Sequence, residues 1–176
     1  MTSDELLAVL SGKLGGELTV LRSVEHRHGE AGRPIVDLWV EVPLARLRDA
    51  VAALCDASPP HITVISGDDL GDRIILNYHF SVGWGTHYGE VALILRTSVP
   101  TDNLTIPTIS DLLPGALTAE REKHEFYGIT VDGIPDDRNL FLPEDMTIHP
   151  WRKDEASVQR TTSMVKRLVK WETRDA

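Results

Sequence analysis

The chain has 176 residues, 41% of them hydrophobic, which is enough to bury one substantial core without splitting into two domains. Its formal net charge of −9 disfavours nonspecific nucleic-acid binding, because such binding relies on Lys and Arg to neutralise phosphates. The single cysteine, Cys55, excludes an intrachain disulfide and an iron–sulfur cluster held by four cysteine thiolates of this chain.

The first predicted elements are a helix and a β-hairpin. Thr2 or Ser3 can cap an amphipathic helix that ends at Gly15-Gly16. Residues 17–28 and 35–42 are predicted to be strands, because β-formers or loose alternation mark them and turn formers separate them.

A second helix and three further strands follow. Apolar side chains recur at helical spacing over residues 44–55, and Pro59-Pro60 prevents this helix from continuing. Residues 61–66, 73–82 and 88–99 are predicted strands, since glycine-rich turn formers lie between them.

These elements predict one two-layer α+β domain over residues 1–115, with the order helix, two strands, helix and three strands in a mixed sheet. Trp84 and Tyr88, in the last loop between strands, are expected to plug the core. No stretch approaches the roughly 20 apolar residues of a membrane span, and the N-terminus lacks a signal-peptide pattern. We therefore expect a cytoplasmic protein with no direct membrane insertion.

Residues 116–154 predict a second unit, a helix followed by an extended segment. Glu120, His124 and Tyr127 fall on the apolar stripe of a helix that begins near Thr118. A carboxylate and an imidazole on this stripe indicate that it is not a plain core face.

The charges and turn formers of this unit predict an exposed helix face, the end of the helix and an extended surface segment after it. Arg121 and Glu125 lie four residues apart and predict an opposite-charge pair that is solvated or faces a partner. Gly128 can end the helix in a left-handed conformation. A short extended segment, Ile129-Thr130-Val131, is expected next, before a turn at Asp132-Gly133. Beyond this turn the chain cannot form a helix or a central strand and should run extended over a surface, because prolines recur there: Pro135, Pro143 and Pro150.

Residues 155–176 predict a C-terminal helix with an apolar seam beside a cationic face. Two interpretations remain open. The helix folds back on its own domain, or it lies on a neighbouring subunit.

The segment from Glu120 to Asp154 resembles the signature of the 30 kDa subunit of respiratory complex I (NADH:quinone oxidoreductase). The same module occurs in energy-converting, membrane-bound nickel–iron hydrogenases, and the Leu-Pro-Glu-Asp step at residues 142–145 is closer to that branch. The matching motifs are Glu120-Arg121-Glu122, Phe126-Tyr127-Gly128-Ile129, Arg138, Leu142-Pro143-Glu144-Asp145 and Pro150-Trp151-Arg152-Lys153-Asp154. The chain departs from the family pattern at Glu125, at residues 134–139 and at Trp151.

The resemblance implies a noncatalytic structural subunit of a membrane-associated redox complex. Its partners would be the large hydrogenase-like subunit of such a complex and a small iron–sulfur subunit. Iron–sulfur clusters, and nickel–iron in the hydrogenase branch, would belong to the partners, with no cofactor in this chain. The complex would place the chain in a peripheral arm on the cytoplasmic side of the cell membrane. The docking candidates are Glu120, Arg121, Glu122, Phe126, Tyr127, Gly128, Arg138, Pro150, Arg152, Lys153 and Asp154.

A second hypothesis is a freestanding small enzyme or metal-binding protein. Glu120 and His124, four residues apart on one helix face, could share a metal ion. Neither residue has a further ligand at a recognised spacing, and we find no nucleophile or nucleotide-binding motif.

Overall fold

The computed structural model describes residues 1–28, 32–85, 90–143, 146, 148–154, 157–163 and 166. Its three helices are α1 (Ser3–Leu14), α2 (Leu47–Ala57) and α3 (Ala116–Tyr127), and a 3-10 turn, Leu44–Arg46, leads into α2. The start of α1 is a capping box, because the Thr2 hydroxyl accepts from the Glu5 N–H while the Glu5 carboxylate accepts from the Thr2 N–H. None of the described helices is both long and apolar enough to cross a bilayer.

Five strands form one mixed sheet. The strands are β1 (Thr19–His28), β2 (Arg33–Glu41), β3 (His61–Asp69), β4 (Arg73–Val82) and β5 (Glu90–Pro100), in the spatial order β1-β2-β5-β4-β3. The pairs β1–β2, β3–β4 and β4–β5 are antiparallel, whereas β2 and β5 are parallel. The predicted α+β class with a mixed sheet is confirmed.

A second, two-stranded sheet joins the sheet domain to the region around α3. It consists of β6 (Thr105–Pro107) and β7 (Thr130–Asp132), which run parallel. One hydrophobic cluster contains leucines of α1 and α2, alternate residues of β4 and β5, and Tyr127, Ile129 and Val131. Residues on both sides of the predicted boundary at 115 therefore share one core.

Three predictions about local structure need correction, and one short strand was not predicted. Residues 67–69 were predicted to turn, but they extend β3, because each pairs with a residue of β4 and the ladder outweighs their turn propensity. Strand β6 was not predicted, since three residues carry no periodic pattern. Helix α3 begins at Ala116 rather than near Thr118. Trp84 is 71% exposed and does not plug the core.

Some predicted features lie wholly or partly outside the described residues. They include Tyr88, half of the turn at 29–34 and most of the C-terminal helix at 155–176, of which residues 157–163 are helical.

Candidate docking site

The strap, which we define as residues 148–154, closes the C-terminal end of α3. A helix ends with carbonyls that lack an intrahelical partner. Nδ1 of His149 lies 2.8 Å from the Glu125 carbonyl, and the Trp151 N–H donates to the Phe126 carbonyl at 3.0 Å. Gly128 follows with φ +71°, and its N–H donates to the His124 carbonyl. The strap thus supplies donors to the end of this helix from more than twenty residues later in the chain.

The other end of the strap is fastened to β3. The Arg152 guanidinium and the Lys153 N–H both donate to the buried carboxylate of Asp69, at 2.8 and 2.9 Å. Burial alone would raise the pKa of Asp69, but hydrogen bonds from Lys153 and Gly71 and the charge of Arg152 outweigh it and lower that pKa. The Lys153 ammonium also pairs with Asp68 at 2.6 Å.

Tyr127 fixes α3 against the C-terminal part of β3. Its hydroxyl donates to the Gly67 carbonyl at 2.6 Å. A Cβ at Gly67 would lie only 2.7 Å from the Tyr127 ring, so this strand position must lack a side chain for the helix to approach.

Glu120 is fully buried at the centre of α3. Its two carboxylate oxygens accept from the Thr108 hydroxyl and the Ile109 N–H, each at 2.6 Å. Burial raises the pKa of Glu120, and these two hydrogen bonds oppose the rise only in part. Since Glu120 has no exposed surface, it cannot contact a partner directly. It can affect docking only through the loop at Thr108 and Ile109, which it holds in place.

Glu125, which the sequence placed in an exposed pair with Arg121, is instead buried. Its carboxylate accepts from the N–H groups of Leu140, Phe141 and Leu142. The predicted solvated or partner-facing pair is therefore wrong, because main-chain donors fifteen to seventeen residues away in sequence satisfy the carboxylate.

Arg121 holds the turn at residues 136–139. It donates to the Arg138 carbonyl at 2.8 Å and pairs with Asp136 at 3.3 Å. The Arg138 guanidinium, whose side chain is 75% exposed, donates to both oxygens of Asp136. These donors lower the pKa of Asp136, with the Arg138 side-chain bond as the largest cause. Arg121 and Glu125 together fix the position of residues 136–142 on α3.

Three aromatic side chains form a contiguous surface, which we call the aromatic patch: Phe126, Phe141 and Trp151. The rings of Phe126 and Trp151 stack with centroids 4.4 Å apart, and Phe126 and Phe141 lie 6.1 Å apart. Phe141 is 66% exposed and Trp151 39% exposed. Sequence reasoning included Phe126 but missed Phe141 and Trp151 as site residues, although both are exposed members of this patch.

A buried lysine lies beneath the patch. The Lys123 ammonium lies 4.5 Å from the centroid of the Trp151 ring and pairs with Glu122 at 2.6 Å. Burial lowers the pKa of Lys123, and the bond to Glu122 opposes this in part. An open groove of about 490 Å³, lined by Trp151, Tyr127, Glu122 and part of β3, lies beside it.

The remaining docking candidates lie at the rim of this site. Pro150 is half-buried within the strap, and the carboxylate of Asp154 accepts from the Ser157 N–H at 3.0 Å. The structure thus brings the eleven predicted residues together around α3 and the strap, but most of their polar groups bond within the chain.

The side chains of Glu120 and His124 are not placed to share a metal ion. Both oxygens of Glu120 are occupied, and Nδ1 of His124 lies 2.8 Å from the Ile129 carbonyl. Within the described part of the chain, no three His, Cys, Asp or Glu side chains are placed to hold a metal ion.

Comparison with known proteins shows which family this chain belongs to. The model of the "Respiratory-chain NADH dehydrogenase, 30 Kd subunit" family matches residues 40–161. The membrane-bound hydrogenase subunit beta of Pyrococcus furiosus is 32% identical over 124 residues, which are 69% of this chain and 71% of that protein. NADH-quinone oxidoreductase subunit 5 of Thermus thermophilus is 31% identical over 145 residues, which are 70% of this chain and 66% of that protein.

Two solved structures share the fold. A chain of an archaeal membrane-bound sulfane sulfur reductase aligns with a TM-score of 0.66 and 23% identity over 89% of each chain. A trypsin-resistant fragment (1–134) of Nqo5 aligns with a TM-score of 0.55 and 23% identity, over 77% of this chain and 99% of the fragment. At these identities the likeness concerns the fold alone.

Proposed function

Because the chain belongs to the family of the 30 kDa subunit of the respiratory-chain NADH dehydrogenase, we propose that it is a noncatalytic subunit that docks through the aromatic patch. The complex would be a membrane-associated redox complex of the NADH:quinone oxidoreductase or energy-converting hydrogenase type. The partner in contact with the patch would be the large hydrogenase-like subunit, with a small iron–sulfur subunit nearby. Iron–sulfur clusters, and nickel–iron in the hydrogenase branch, would lie in the partner chains, on the cytoplasmic side of the membrane.

The exposed aromatic patch is the observation that carries this proposal. Exposure of large aromatic rings to water is unfavourable, and contiguous exposed groups of them commonly mark protein interfaces. Phe141 exposes two thirds of its surface although three N–H bonds to Glu125 hold its backbone and that of its neighbours in place. A fixed, exposed aromatic side chain is a suitable anchor, because little conformational entropy is lost when it binds.

Replacing Phe141 with serine tests the patch. We expect Phe141→Ser to weaken association with the partner subunits by about tenfold or more, since burial of one aromatic side chain contributes roughly 1.5–3 kcal/mol. The tagged full-length variant would be expressed in a host without the wild-type copy. The partner chains that co-purify from gently solubilised membranes would then be quantified by mass spectrometry.

Trp84→Ser is the matched control, because Trp84 is also a largely exposed aromatic residue but lies just after β4. Both variants should retain the wild-type melting temperature within a few degrees, as is usual for surface substitutions. Equal recovery of partners with Phe141→Ser and with the wild type would contradict docking through the patch. Equal losses with both variants would point to nonspecific adhesion of exposed rings.

A further inference from the structure

The cationic side chains around the aromatic patch are already paired within the chain. Each has a carboxylate partner at 3.3 Å or less: Arg121 and Arg138 with Asp136, Lys123 with Glu122, Arg152 with Asp69, and Lys153 with Asp68. Forming an ion pair with a second protein would require these cations to give up or share those partners.

Carboxylates outnumber cations in α3 and the loop that follows it. Residues 116–143 contain six carboxylates and three cationic side chains, so these three cations cannot pair with every carboxylate. Asp137 is exposed, and none of the described residues forms an ion pair or hydrogen bond with its side chain. It lies in the turn that Arg121 holds, four residues before Phe141. Asp132, at the end of β7, is likewise exposed and has no ion pair among the described residues.

We infer that the docking partner presents a basic, arginine-rich protein surface, in which cations meet the carboxylates around residues 132–137 while an apolar or aromatic group covers Phe141. This inference rests on the proposed docking function and specifies the chemistry of the partner. Arginine suits both parts of the site, because its planar guanidinium can stack on an aromatic ring and bind a carboxylate through two parallel hydrogen bonds. The charges of an acidic partner would instead repel the free carboxylates.

Reversing the charge of Asp137 tests this inference with the full-length chain. We expect Asp137→Lys to weaken association with the co-purified partner subunits by about fivefold or more at low salt, near ~50 mM. The difference from the wild type should shrink severalfold near ~500 mM salt, because exposed charges are screened over a few ångströms there. Asp56→Lys, an exposed carboxylate at the end of α2 with no ion pair among the described residues, is the matched control.

The same titration separates failure of this inference from failure of the docking proposal. If Phe141→Ser has no effect at either salt concentration, the patch is not the interface. If Phe141→Ser weakens association while Asp137→Lys matches Asp56→Lys or strengthens it, the patch is the interface but its partner is not basic, and the inference is overturned. Melting curves of both aspartate variants should coincide with the wild type, so that a loss of binding reports on charge alone.

Discussion

Glu120→Ala is expected to lower the free energy of unfolding by about 3 kcal/mol. The substitution leaves the Ile109 N–H and the Thr108 hydroxyl buried without their acceptor, and each such group costs about 1–3 kcal/mol. Removal of the side chain also leaves a cavity in a fully buried position. Urea unfolding at neutral pH, followed by far-UV circular dichroism, would measure the change.

Glu120→Gln is the control that separates the hydrogen bonds from the charge. Its amide oxygen can accept from Ile109, and its NH₂ group can donate to the Thr108 hydroxyl oxygen, so the expected loss is about 1 kcal/mol or less.

Because the folded-state pKa of Glu120 is raised from 4.5, the wild-type side chain contributes most to stability at low pH, and its contribution falls as pH rises through that pKa. The stability difference between wild type and Glu120→Gln should therefore move in favour of glutamine between acidic and neutral pH. A difference that does not change with pH would contradict burial of an ionisable Glu120.

Gly128→Ala is expected to cost about 3 kcal/mol of stability and to weaken partner binding as well. An alanine at φ +71° is strained by about 1–2 kcal/mol. Its Cβ would also lie 2.6 Å from Cδ2 of His149, whose ring cannot move away without losing its hydrogen bond to the Glu125 carbonyl. Displacement of His149 would move Trp151, two residues later in the strap, out of its stack on Phe126.

Gly15→Ala isolates the backbone contribution to this effect. Gly15 also follows a helix in the left-handed region, at φ +60°, but a Cβ there would meet no atom within 4 Å. We expect Gly15→Ala to cost about 1 kcal/mol and to leave partner binding unchanged. Thermal unfolding of the two variants gives the comparison. Equal losses of stability would show that the contact between Gly128 and the strap contributes nothing beyond backbone strain.

Periodicity and capping predicted the helices and most strands, because these features depend on residues close together in the chain. The αL glycine at position 128 and the unusual position of Glu120 on an apolar stripe were both visible in the sequence. The two-layer α+β class with a mixed sheet also followed from the order of elements.

Glu125 shows what sequence periodicity could not provide. Its partners are main-chain N–H groups of residues 140–142, and no spacing rule connects a helical carboxylate with donors in a later loop. Arg121 was therefore paired with the wrong carboxylate, since the i, i+4 rule considers only the helix itself. The extension of β3 through residues 67–69 was missed for a similar reason, because it depends on pairing with β4, which is a tertiary contact.

Most charged residues of the family motif form their hydrogen bonds and ion pairs within the chain. Arg121, Arg152 and Lys153 bond to groups of the same chain and thereby hold the turn at 136–139 and the strap in place. In the proposed docking mode these residues would position the surface, whereas exposed groups such as Phe141 and Asp137 would contact the partner. Substitutions of the two kinds should differ, because only those of the first kind lower thermal stability.

The strand order has a consequence for how the chain reaches its native state. The β1–β2 hairpin and the β3–β4–β5 meander each consist of antiparallel neighbours, and a single parallel ladder, in which Ile35 lies opposite Glu90, joins them. Local hairpins close quickly. The β2–β5 ladder connects residues about 55 positions apart, so it should form only after the hairpin and the meander have formed. This β2–β5 ladder is thus the junction between the two groups of strands in the five-stranded sheet. A chain cut between Pro59 and Pro60 should yield two fragments that reassemble on mixing, with reassembly limited by formation of this ladder.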